Sequence, residues 1–471
     1  MTARDALGTL LPHAGWPAER ANAVEITGGG DPVLPTPFRV GEAAAAALGA
    51  VGLAADDIWN LRTGRRQQIG VDLRHAAATL RSNHYLEVDG ARIGAERNPV
   101  MGMYPAKNGR WSYVHANFPH HRAAALRVLG VPEDRDAVRN AVAAWDALAL
   151  EEAIIAAGGA GGMVRTSSEW AAHPQGIAVA ALPLIEITRI GDSAPEKLPA
   201  GERPLSGVRV LDVTRVLAGP TCGRTLAEHG ADVLKISAAH LPVIAYHEYD
   251  TGHGKLAANL DLRAPQELAT FKALVREADI VSQGYRLGSL AARGLSPEAL
   301  CALCPGLIYV SLCAFGHTGP WASRRGFDTV VQNVSGMTFR QGALFPGREP
   351  GAPQFYPMSA IDYLTGYLMA FGAMVALARR AREGGSWLVR VSLAQTGRWL
   401  TGLGEVPARD LKDVPGEFGP EELARWMMTR ETPGGLVKYL KPVVRMSETP
   451  PHWARPVVPL GYNEPAWPAR G

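Results

Sequence analysis

Cysteine is scarce in this chain. Its 471 residues hold four, Cys222, Cys301, Cys304 and Cys313, too few to staple a protein of this length, so reduced thiols and a packed core are expected. Cys301-Ala-Leu-Cys304 has the spacing of a redox pair or half a zinc site. No second pair follows it, and the surrounding PEALCALCPGL reads as a helix end with inward-packed thiols. Long apolar runs are missing too: residues 43–55 and 367–378 fall short of the roughly 20 residues that cross a bilayer, so no membrane span is expected. The first residues, MTARDALGTLLPHAGWP, carry Asp5 and no sustained apolar run. No secretory leader is therefore expected, and a cytoplasmic location follows. Charge of one sign is nowhere concentrated. Net charge is +3 with acids and bases interspersed, which excludes the basic stripe of a nucleic-acid binder and leaves small anions as partners.

Familiar site signatures are lacking as well. GHGK at residues 252–255 lacks P-loop spacing, and GGAGG at residues 158–162 follows a helix where a dinucleotide fingerprint should follow a strand. No serine sits in a G-x-S-x-G elbow. His120 and His121 are adjacent in NFPHHR, and neighbours do not share one face of a helix or strand, so no metal is expected there.

What is present is a globular composition, 47% hydrophobic and 20% charged, and an alternating pattern. VRVLDV, ADVLKI, ADIVSQ and LIYVSL are short apolar runs separated by helical stretches such as PQELATFKALVREA. This predicts an α/β fold with a doubly wound parallel sheet over residues 207–404. The Pro-containing residues 191–206 read as a linker. Residues 405–471, rich in Pro and Trp, read as mostly extended chain over the body, with one amphipathic stretch, GPEELARWMMTR.

The front of the chain echoes the rear. At a constant offset of 320, Pro37 matches Pro357, Ala50 matches Ala370, Gly52 matches Gly372, Arg62 matches Arg382, Gly64 matches Gly384, Val71 matches Val391 and Leu80 matches Leu400. Both stretches read as a helix, a basic-glycine turn, a strand and another helix, which suggests a duplicated half-domain.

Two places offer chemistry. After VRVLDV the chain turns through Leu217, Ala218 and Gly219, and Pro220 suits a helix start whose free amides can face a phosphate; an ordinary βα turn has the same residues. In PMSAIDYLTG, Asp362 falls where a long apolar helix begins. It is either a cap or an ionised nucleophile toward an activated acyl group.

Residues 204–400 resemble the first half of family III CoA-transferases, the CaiB/BaiF family. The resemblance rests on PLSGVRVLDVTRVLAGPTCGRTLAEHGADVLKI, GKLAANLDL, ADIVSQGYRLGSLAARGL, PGLIYVSLCAFGHTGPWASRRGFDTVVQNVSG and the Asp362-x-x-x-Gly366 motif, in the family's order. Residues 37–190 resemble the family's second half, through GRWSYVHANFPHHRAAALRVLG, ALEEAIIAAGG and VRTSSEWAAHPQG before PLIEITRIG. The implied fold is a Rossmann-like CoA-transferase domain with a smaller α+β domain. Residues 1–190 would be a partial copy that carries the small domain to the front of the chain.

The resemblance implies transfer of CoA between carboxylic acids, with acyl-CoA and a small carboxylic acid as partners and substrates, no permanently bound cofactor and no metal. The family's catalytic aspartate falls on Asp362. Its CoA contacts fall on Val216, Leu217, Ala218, Leu260, Arg263, Gly284, Tyr285 and Arg325, with Arg293 one position from a phosphate-binding arginine. Family members form interlocked homodimers, and one is expected here. Departures are Ser237 in place of an acidic residue, AAHLPVIAYHEYD in place of a Gly/Arg loop, and Leu217 in place of an active-site glutamine. The histidine that racemases of the family pair with the aspartate falls on Phe327, which argues against racemisation, and the front counterpart of Asp362 is Glu42. Isomerase, racemase or dehydratase chemistry on the same fold, or CoA binding without catalysis, are the alternatives.

Overall fold

The computed structural model describes all residues except 95–97, 348, 350 and 470–471. Its centre is a seven-stranded sheet. Six strands come from the rear of the chain and one from the front: β1 (Glu186–Gly191), β2 (Arg209–Val213), β3 (Asp232–Ser237), β4 (Lys255–Asn259), β5 (Ile280–Gln283), β6 (Ile308–Cys313) and β7 (Ser386–Ser392). The order across the sheet is β4-β3-β2-β5-β6-β7-β1. Strands β2 to β7 pair in parallel, with Val210 opposite both Val233 and Ile280, and β1 closes the edge antiparallel to β7, with Thr188 opposite Leu388. Buried on both faces, the central strands are continuous apolar runs rather than alternating ones. The four strands anticipated from the sequence are all present; β4, with the weakly β-favouring KLAAN, is set by its pairing with β3.

The offset of 320 is exact in the backbone. Helix α1 (Val40–Thr63) in the front segment and helix α3 (Ala360–Glu383) in the rear are each 24 residues long. They end at Gly64 (φ 74°) and Gly384 (φ 69°), whose amides donate to the carbonyls of Asn60 and Arg380. Glycine suits both ends because the chain turns through positive φ, which L side chains rarely adopt, and at Gly384 a Cβ would also collide with the Ser193 carbonyl. The two helices pack on each other in the main apolar core. By length and composition α3 would cross a bilayer, yet its whole apolar window is buried inside the protein. In the sequence its apolar run is shorter, because Asp362, Thr365 and its glycines interrupt it.

The smaller α+β domain belongs to the front segment. Strands Gly102–Pro105, Trp111–His115 and Ala160–Met163 form an antiparallel sheet, covered by helices that include Pro119–Leu129 and Ala147–Ala156, around a separate core of Val100, Tyr104, Val138, Leu150 and neighbours. The tail departs from mostly extended chain: Met427–Thr432 and Gly435–Leu440 form a hairpin that pairs with Glu87–Val88. Beyond it the chain is draped over the body by side chains. The Trp453 indole donates to the Arg224 carbonyl and the Trp467 indole to the Leu274 carbonyl, both at 3.0 Å. Cys301 and Cys304, on helix Pro297–Leu303 and its end, point their thiols at the carbonyls of Leu307 and Ala278 as packing groups.

Candidate active site

At the carboxyl ends of the parallel strands lies a cavity of about 280 Å³, where ligands of open α/β sheets bind. Its floor begins at β2. Leaving that strand, the chain passes Val216 at φ 69°, a left-handed conformation that a β-branched residue adopts at a cost of ~1–3 kcal/mol. Buried contacts hold it there. Lys255 Nζ donates to Asp212 Oδ2 and to the Pro220 carbonyl, each at 2.7 Å, and Asp212 Oδ1 accepts from the amide and hydroxyl of Thr214. Arg215 donates to the Pro242 carbonyl. Helix α2 (Ala218–Glu228) then starts without a side-chain cap on Leu217, so its first amides border the cavity. Across the floor, the Tyr285 amide is held by Gln283 Oε1 at 2.8 Å, presenting Gly284 and the Tyr285 ring.

Asp362 sits in the first turn of α3 and is 9% exposed. The spacing to Gly366 has a steric origin. A Cβ on Gly366 would stand 2.5 Å from the Ala218 carbonyl oxygen and 2.6 Å from Thr221 Cβ, so only glycine lets α3 lie against α2 and bring Asp362 beside the LAGP turn. Ser359 does not cap α3; Asp328 does, its Oδ2 accepting the Asp362 amide at 3.0 Å. Two carboxyl groups therefore share one dry corner. Burial, and then the neighbouring Asp328, hold the Asp362 carboxyl well above the usual carboxylate range, and burial pushes Asp328 up to about 6. The front counterpart is built differently: Glu42 Oε1 accepts the Asp31 amide at 3.1 Å and faces Arg39, clasping its own loop. Glu42 is absent from the cavity wall.

Of the residues anticipated from the sequence, the structure brings together Asp362, Val216, Leu217, Ala218, Gly284, Tyr285 and Arg325 around this one cavity. It does not bring Leu260, Arg263 or Arg293 there. Leu260 is a core residue, Arg263 forms a bidentate pair with Asp261 on the surface, and Arg293 donates to the Ser289 carbonyl one turn behind the wall.

Sequence reasoning missed a whole wall. Phe118, His120 and His121 arrive from the front segment, where helix Pro119–Leu129 begins against the rear segment's Arg325 and Phe327. Adjacent histidines are not expected to share a face, yet at this helix start the two rings lie 4.1 Å apart and both line the cavity. The available signal was Pro at a helix start, the same signal used for LAGP. Phe327, at the racemase histidine position, is stacked on His115 at 3.9 Å and 5°. Arg215 and Arg286 complete a basic wall that charge counting alone does not locate.

Contacts between the segments fix this geometry. Glu151 of the front segment takes a bidentate pair from Arg165, at 2.8 and 2.9 Å, and lies 3.3 Å from Arg324 of the rear. The wholly buried Gln175 donates to the carbonyls of Phe315 and Thr318 and accepts the Trp321 amide, threading the rear loop that leads to Arg325.

The sequence profile described as CoA-transferase family III matches residues 20–193 and 205–423. An acyl-CoA transferase of Gibberella moniliformis is 27% identical over 79% of this chain and 72% of its own length. A succinate–glutarate CoA-transferase of Agrobacterium fabrum is 35% identical over 40% of this chain, which spans half of that relative's length. A crystal structure of a CaiB/BaiF family protein from Brucella suis is 32% identical, with a TM-score of 0.37 over 43% of this chain and 56% of that one.

Proposed function

The chain belongs to CoA-transferase family III, and from that premise we propose that it moves CoA from an acyl-CoA to a second carboxylic acid, with Asp362 as the nucleophile. The observation that carries this reading is the placement of Asp362 in a closed corner beside the uncapped start of α2, on a cavity bordered by Arg215, Arg286 and Arg325. A carboxylate, a thioester and a polyanionic carrier suit those surroundings.

In the first step an Asp362 oxygen attacks the thioester carbonyl, the C–S bond breaks and CoA thiolate leaves, giving an acyl-aspartyl anhydride. The thiolate then attacks the Asp362 carbonyl and releases the donor acid, leaving an aspartyl-CoA thioester. The acceptor carboxylate attacks that thioester and displaces the thiolate, which attacks the acceptor acyl carbon and frees Asp362. No net proton or electron is exchanged, so the chain's tasks are to bind, to exclude water from three hydrolysable intermediates and to stabilise the oxyanions. The low exposure of Asp362, 9%, serves the second task. Small carboxylic acids suit the size of the cavity, and relatives named for succinate, glutarate and malate point the same way. The small domain that an interlocked partner would bring is present in this chain, so one chain supplies both walls. Turnover on free CoA esters accords with a cytoplasmic location.

The reading is tested by trapping. Incubation with a panel of short acyl-CoA donors, then hydroxylamine, then peptide mass spectrometry, is expected to place a hydroxamate on Asp362. An unmodified Asp362 with every donor would reject the mechanism.

A further inference from the structure

The wall contributed by the front segment carries a histidine whose ring packs in an aromatic cluster while its Nδ1 has no hydrogen-bond partner among the described residues. Helix Pro119–Leu129 meets the cavity with its N-terminus; Phe118 gives it no side-chain cap and no acidic residue lies in its first turn. This histidine, His121, lies in that turn and is 3% exposed. Its ring lies edge-on to Phe327, with centroids 5.6 Å apart. Phe327 precedes Asp328, which holds the Asp362 amide, so the imidazole and the nucleophile occupy neighbouring stretches of one wall. Buried polar atoms are almost always paired; Nδ1 lies within the wall, and the His121 ring itself lines the cavity, where it can meet what enters. The surroundings select the charge of what enters. Arg215 lies over the Phe118 ring at 5.4 Å, Arg286 and Arg325 border the same space, and the free amides of the helix start add positive potential. An anion is favoured, and one anion that arises at Asp362 in every step of acyl transfer is the oxyanion of the tetrahedral adduct.

We propose that His121 is a catalytic residue of the transfer, its ring N–H donating to the oxyanion formed when a carbonyl at Asp362 is attacked, so that the two segments of one chain complete a single centre. The proposal rests on the transferase reading above. A donor role suits a neutral ring. Burial, helped by His120 and the arginines, pushes the His121 imidazole down to about 3, so it stays uncharged and keeps an N–H for the oxyanion rather than collecting protons.

The test uses the full-length chain with His121→Phe, His121→Gln and Asp362→Ala. Phenylalanine keeps a ring in the aromatic cluster and loses the donor; glutamine keeps a donor. With thermal melting confirming that each variant is folded, His121→Phe is expected to lower kcat by ~100-fold with KM for acyl-CoA within about threefold, as for loss of one oxyanion donor. His121→Gln is expected to recover ~10-fold of that loss. Co-expressed His121→Phe and Asp362→Ala chains are expected to show no more than the residual His121→Phe rate, because each centre draws both residues from one chain. Equal rates for His121→Phe and wild type, or no recovery with glutamine, overturn the oxyanion role. Restored activity in the co-expressed pair overturns the single-chain centre. His121-dependent solvent deuterium at the acyl α-carbon would make His121 a base and overturn the proposal. If Asp362→Ala abolishes transfer while His121→Phe keeps the wild-type rate, the His121 role alone falls; if Asp362→Ala transfers normally, the transferase mechanism falls with it.

Discussion

At the scale of single residues, the site is a conflict between burial and charge. A nucleophilic carboxylate must ionise, yet Asp362 sits in a dry corner next to Asp328, and both effects favour its neutral form. Removing the neighbour's charge should relieve one of them. Asp328→Asn, which keeps an oxygen to accept the Asp362 amide, is expected to move the acid limb of the kcat/KM pH profile to lower pH; a limb that stays put or rises would show that the pair does not interact in this way. The same conflict acts on stability. A carboxyl whose native pKa is raised holds its proton longer in the folded than in the unfolded state, so folding weakens as pH rises from about 4 toward the native pKa. Asp362→Asn should therefore melt at a higher temperature than wild type at pH 8, with the gain shrinking toward pH 4, while transfer is lost. These residues differed in how legible they were. Asp362 stood out through its motif, whereas Asp328 is one acid in FDTVVQ and acquires meaning only when the fold brings it to the start of α3.

At the scale of elements, what the sequence announced was periodicity and what it concealed was company. The strands β2, β3, β5 and β6 and the helices at offset 320 were readable because apolar runs and glycine stops are local. The contact between α2 and α3 was not, although Gly366 records it. Gly366→Ala puts a methyl 2.5 Å from the Ala218 carbonyl, and is expected to cost ~1–3 kcal/mol as overpacking. Because the displaced helix carries the LAGP turn, the variant should also raise KM for acyl-CoA, checked by a melting curve and initial rates on one preparation. The histidines at the start of Pro119–Leu129 were hidden for a similar reason: their cavity is formed by residues about two hundred positions downstream.

At the scale of the whole molecule, the front and rear segments form one body. Strand β1 of the front completes the rear sheet, and the Arg165–Glu151–Arg324 cluster ties the small domain to the loop bearing Arg325. Calorimetry should accordingly show one cooperative transition. Glu151→Ala, which strands two arginines that are almost wholly buried, is expected to destabilise that transition by ~3–5 kcal/mol. The joined segments also shape the central claim, a covalent relay through Asp362 inside one chain. That claim makes a prediction about oxygen atoms. When an acceptor acid carrying oxygen-18 in both carboxylate positions is turned over with unlabelled acyl-CoA, one labelled oxygen should remain on Asp362, and in later turnovers appear in the released donor acid. Peptide and product mass spectrometry after many turnovers would read both. Label at Asp362 and in the donor acid is the predicted result; full transfer activity with Asp362 and the donor acid both unlabelled would contradict it.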